Sequence, residues 1–86
     1  MQHYPKILSV KSLPNFQLFV VFQDQTKKVY DCSHLLSQEP FKPLTEAALF
    51  NTVKVDQGGY GISWNDDIDI AESELWINGA IAEPVN

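Results

Sequence analysis

Eighty-six residues, 44% hydrophobic and 20% charged, set the scale of one compact domain with a single modest core, too small for a cofactor domain stacked on a substrate domain. The formal net charge is -5, with six lysines and no arginine spread along the chain; direct nucleic-acid binding, which draws on clustered cations, is therefore not expected, and a basic protein is the better-matched partner. No apolar run nears the roughly 18–20 residues of a membrane helix, and the lone Cys32 and the opening "MQHYPKILSV", which is unlike a signal peptide, read as a cytoplasmic protein.

The first strand is expected in "ILSVKSL", residues 7–13, an imperfect alternation with β-branched residues. Pro14 and Asn15 break it. "FQLFVVF", residues 16–22, puts Phe16, Leu18, Val20 and Phe22 on one face and Phe19 and Val21 on the other. Such a strand is covered on both faces or central in its sheet. A turn near Asp24 and Gln25 leads into "KKVYDC", a third strand that completes a hairpin over residues 16–31.

In "DCSHLL" the period changes to a short helical turn, with Asp31 placed to cap it. "SQEPFKPL" is a loop with two prolines leading to a short helix, "TEAALF", that Thr45 caps. "NTVKVDQ" alternates Val53 with Val55 as a fourth strand. Gly58 and Gly59 turn the chain into "YGISW", the fifth strand and the close of a second hairpin. After a turn in "NDD", Asp69 and Glu72 have capping-box spacing for a helix starting near Ile70. Glu72 and Glu74 fall in its first turns, and Gly79 ends it at C′. The segment "AIAEPVN" has no pattern of its own. The expected architecture is α+β: one domain over residues 1–80, an antiparallel sheet of about five strands in two hairpins with short helices on one side, and a frayed tail at 81–86.

The acids Asp66, Asp67, Asp69, Glu72 and Glu74 crowd nine positions after Trp64. An EF-hand loop started at Asn65 meets Ile70 where Gly is needed and Trp76 where a bidentate Glu is needed. Started at Asp67, it meets Ala71 and Glu72 at positions 5 and 6. The motif fails in both registers, so turn and cap is the preferred reading and no metal or cofactor is expected. Cys32, Ser33 and His34 are consecutive, and neighbours on a helical turn point about 100° apart; no nucleophile–base pair follows, and Cys32 reads as a half-buried apolar residue. "DQGGYG" lacks the Lys-Ser/Thr and the helix of a phosphate loop. Trp64 is assigned to the core and Trp76 to the rim of the buried face, where an exposed tryptophan beside acids suits a partner hot spot.

"FQLFVVFQD" with "VYD", then "FKPLTEAALFNTVKVD", then "GISWNDDIDI" with "ELW" resembles the DUF2442 family of small bacterial domains of uncharacterised function. The family's series F-x-x-L, F-x-x-V-x-V-D, I-x-W and D-I or D-L is met here by Phe41 to Leu44, Phe50 to Asp56, Ile62 to Trp64, and Asp69 with Ile70. Two turns depart from it, with Gln25 and Asp67 where the family usually has glycine. The resemblance implies an α+β domain and no known catalytic residues. It also implies a genetic setting, since members are often encoded beside a small DUF4160 protein in an arrangement like a toxin–antitoxin pair. Some members carry an additional helix-turn-helix domain, for which these 86 residues leave no room.

The leading expectation is a non-enzymatic protein-binding module, antitoxin-like, whose partner is a small basic protein met by Asp66, Asp67, Glu72, Glu74 and Trp76. Two alternatives stand beside it. One is a small metal-binding or enzymatic protein built on the acids at 66–74. The other is a homodimer in which an exposed strand edge pairs with its own copy.

Overall fold

The computed structural model describes residues 4–82. Strands β1 (Ile7–Leu13), β2 (Gln17–Phe22) and β3 (Lys27–Asp31) form an antiparallel meander. A 3-10 turn at Ser33–Leu35 and another at Lys42–Thr45 lead to the short helix α1 (Ala47–Phe50). Strands β4 (Lys54–Val55), β5 (Gly61–Asn65) and β6 (Ile68–Ala71) make a second antiparallel meander. Helix α2 (Glu72–Asn78) then returns the chain to β7 (Ala80–Ile81) at the edge of the first sheet. The class is α+β with antiparallel pairing, as the sequence indicates. The seven strands among the described residues are divided between a sheet ordered β1-β2-β3-β7 and one ordered β4-β5-β6, in place of one sheet of five.

β2 is the central strand its composition demands. Leu18, Val20 and Phe22 are fully buried, while Phe19 and Val21 on the opposite face are only partly covered. The same period of two buries Lys28 and Tyr30 on β3, Ile62 and Trp64 on β5, and Ile68 and Ile70 on β6. One apolar cluster joins the two sheets and takes in Leu44, Phe50 and Leu75. Each large side chain so buried contributes about 1.5–3 kcal/mol. Trp64 belongs to this cluster, stacked on Phe50 at 6.0 Å between ring centroids, and its indole N–H donates to the Phe50 carbonyl at 2.9 Å. That bond removes the one polar group the indole would otherwise bury unpaired.

The turns show where local chemistry departed from expectation. Gln25 takes φ 79°, so the β2–β3 turn keeps a left-handed residue without glycine, with the Asp24 carboxylate accepting the Thr26 amide at 2.9 Å. Asp67 is not left-handed; the Asn65 side chain accepts its amide at 2.9 Å in the β5–β6 turn. Asn15 and Phe16 have φ 65° and 59°. A bulky residue there is costly, and Phe16 is held by an edge-on contact with Phe50 and by the Cys32 amide, which donates to its carbonyl at 2.9 Å. Gly59 is needed for a further reason. At φ 77°, a Cβ on it would lie 2.6 Å from the Ile7 carbonyl oxygen, so only a bare backbone lets this turn lie against β1.

Four expectations about segment ends are corrected. Thr45 does not cap α1: its hydroxyl donates back to the Lys42 carbonyl, and Glu46 is the cap residue without a side-chain bond. Asp69 does not cap α2, because Ile68 and Ile70 alternate as a strand and place it in mid-β6, leaving Ala71 at the cap without a side-chain bond. Gly79 follows α2 in extended conformation, φ -75° and ψ 146°, with a close approach to the Leu75 carbonyl and the Lys28 side chain as its requirement. The segment from Ala80, expected to be patternless with a frayed tail from residue 81, instead pairs with β3: Ala80 faces Val29, Ile81 faces Lys28, and the Ala82 amide donates to Lys27. Residues 83–86 of that tail lie outside the described residues. No helix among the described residues is long and apolar enough to cross a membrane.

Candidate functional site

Successive residues of a helix point about 100° apart, and α2 distributes its polar side chains accordingly. Leu75 is fully buried. Glu72 reaches the N-terminal side, where its carboxylate lies 3.2 Å from the Lys6 ammonium. That ammonium also sits 4.3 Å from the centroid of the Tyr60 ring. Glu74 turns toward β3 and accepts the Tyr30 hydroxyl at 2.7 Å on one oxygen and the Asn78 amide at 3.0 Å on the other. Trp76 is half-buried, edge-on to Phe22 with centroids 5.0 Å apart. It rests beneath the Lys28 ammonium and therefore belongs to the packing more than to the open surface.

The remaining acids lie elsewhere. Asp66 and Asp67 are exposed at the tip of the β5–β6 turn, and Asp69 is exposed on β6. The nine-residue run is thus dispersed over a turn, a strand and separate directions from a helix. Among the described residues, no three His, Cys, Asp or Glu side chains form a group able to hold a metal ion.

The structure does bring Asp69 and Glu74 to the same concavity. An open pocket of about 340 Å³ is lined by these two acids and by Tyr30, Leu35, Phe41, Ile70 and Ala71. β6 contributes Asp69 and Ile70, α2 contributes Glu74, and the segment after β3 contributes Leu35 and Phe41. Burial, followed by the hydrogen bond to Glu74 and its charge, pushes the Tyr30 hydroxyl well above the usual phenol range. Tyr30 consequently stays a donor to the Glu74 carboxylate. The imidazole of His34 approaches the Tyr30 oxygen at 3.5 Å. Sequence reasoning missed Tyr30, Leu35 and Phe41 as site residues. The packing of β3 and the segment after it against β6 and α2 assembles them, and no local motif marks it.

Cys32 is fully buried, not half-buried as expected, and burial pushes its thiol up to about 12. It is therefore a poor nucleophile at neutral pH. The Asp31 carboxylate accepts the Ser33 amide at 2.9 Å, the local bond expected of it, and Ser33 holds that carboxyl below its ordinary range through its side chain first and its amide second. A larger open groove of about 780 Å³ runs past Pro14, Phe16 and Phe50 and has no titratable side chain in its lining. Of these two concavities, the smaller is the one lined by carboxylates.

A family model described as a protein of unknown function, DUF2442, matches residues 7–79, from the first residue of β1 to the glycine after α2. No curated protein and no solved structure matches the chain.

Proposed function

We propose that this chain, which belongs to the DUF2442 family of proteins of unknown function, is a non-enzymatic protein-binding module that docks a small basic protein, as the antitoxin-like half of a two-gene module. The reading is carried by one observation: the acidic surface is not neutralised from within. Lys6–Glu72 is the one ion pair among the described residues, while Asp66, Asp67 and Asp69 are exposed and Glu74 is held by neutral donors. With a net charge of -5, such a surface accelerates encounter with a cationic partner and disfavours other acidic proteins. The proposed setting is the cytoplasm, where a lone thiol such as Cys32 stays reduced.

The test is affinity capture of the tagged chain from its own cells at low and at high salt, beside the double charge reversal Asp66→Lys with Asp67→Lys. The reading expects one small basic protein, encoded by the neighbouring gene, to be retained by the native chain at low salt and depleted with the reversal. Recovery of no small protein under either condition overturns it.

A further inference from the structure

We infer that the pocket between β3, β6 and α2 is the seat of an arginine side chain presented by the partner protein. The inference rests on the docking reading above and assigns its point of recognition. The pocket offers what a guanidinium on a three-carbon stem requires. Leu35, Phe41, Ile70 and Ala71 supply apolar surface for the stem, while Asp69 and Glu74 supply carboxylates from two different elements. A planar group with five donors in a fork can address two such acceptors together, whereas the ammonium of lysine is a strongly hydrated point charge.

Glu74 is already arranged for this. The Tyr30 hydroxyl occupies one of its oxygens and the Asn78 amide the other, fixing the carboxylate plane. Both donors are neutral, so its charge is uncompensated, and each oxygen retains acceptor capacity for a further bond. Tyr30 is buried to 1% exposure and serves as the floor and as the donor that fixes Glu74, whereas Phe41, half-buried in the same lining, is the aromatic residue placed to meet a guanidinium, which stacks on aromatics. The chain itself contains no arginine, so the occupant must be supplied by a different protein and not by a second copy.

The experiment is a titration of the full isotope-labelled chain with N-acetyl-arginine amide at constant ionic strength, followed by backbone amide shifts, with the lysine and citrulline analogues in parallel. The expected result is a set of shifts confined to Tyr30, Leu35, Phe41, residues 69–71 and Glu74, with dissociation on the order of millimolar for so small a probe. Glu74→Gln should weaken binding roughly tenfold while leaving amides remote from the pocket in place. Asp66→Asn with Asp67→Asn, at the turn outside the pocket, should leave it unchanged. Diffuse shifts insensitive to Glu74→Gln, equal binding of citrulline, or tighter binding of the lysine analogue would each overturn the inference. Capture of a basic partner without arginine binding here would remove the pocket and leave the docking reading intact; arginine binding with no captured partner would do the reverse.

Discussion

The ammonium of Lys28 lies 4.3 Å from the centroid of the Trp76 ring and donates to the carbonyl of the same residue. Lys28 is only 8% exposed and has no carboxylate partner among the described residues. Its charge is met by the indole face and by a carbonyl in the last turn of α2, where the helix dipole favours a cation. This contact fastens α2 to β3. Replacing Lys28 by Met keeps the stem and removes the charge and donor, and should cost about 1–3 kcal/mol. Urea denaturation checks this as a lower midpoint with an unchanged slope.

The Tyr30 hydroxyl fixes Glu74, and Tyr30→Phe removes that bond without opening a cavity. Glu74 is only partly covered and recovers water in exchange, so the expected loss is about 1 kcal/mol. Tyr30→Ala, which empties a site now 1% exposed, should cost about 3–5 kcal/mol. Thermal melts of the two variants separate the hydroxyl from the ring.

Gln25 occupies a left-handed position, φ 79°, in an exposed turn. Gln25→Gly relieves the side-chain penalty and loses part of the gain to unfolded-state entropy, leaving about 0.5–1 kcal/mol of added stability. A higher melting temperature checks it.

Gly59→Ala should act in the opposite direction. The added Cβ meets backbone of Ile7 within 2.9 Å at both its nitrogen and its oxygen, and β1 cannot yield without disturbing its register. A loss of at least about 2 kcal/mol is expected, read as a melting temperature lower by ~8 °C or more.

Alkaline pH should unfold the chain through Cys32 and Tyr30. The folded chain holds the Cys32 thiol protonated from its ordinary 9.0 up to about 12 and raises the Tyr30 hydroxyl above its ordinary 10.0. Below pH 9 both groups are protonated in either state, and stability is unaffected by them. From about pH 9 the unfolded chain releases the Cys32 proton and from about pH 10 the Tyr30 proton, both of which the folded chain keeps, so stability falls by up to about 1.4 kcal/mol per pH unit for each group. Denaturant midpoints measured from pH 8 to 11 check the direction. Cys32→Ala, less stable at neutral pH, should lose the part of the decline that begins near pH 9.

The elements of this protein were legible where a period repeated long enough to exclude the alternative. Six residues of β2 alternate without interruption, and the glycines before β5 mark the turn that precedes it. Residues 68–71 are too few for that. "IDIA" reads equally as the end of a turn or as a strand, and Asp69 fits a cap as well as an exposed strand position, so the residue pattern alone placed the helix start two residues early. The last strand was invisible for the same reason: Ala80 and Ile81 are two residues whose pairing with β3 is set by α2 delivering them there.

The sequence by itself determined the α+β class, the core alternation and the excess of acid, because each is a property of composition or of short-range spacing, and its series of motifs carried the likeness to the family. Only the tertiary structure decided the division into two sheets and the fate of each acid. Lys6 and Glu72 meet across 66 positions, and Tyr30 and Glu74 across 44. Such pairings arise from packing between elements whose sequences carry no record of one another. The five acids that stand together in the chain are separated by a turn, a strand and the rotation of a helix, and the pocket is built from segments that stand apart.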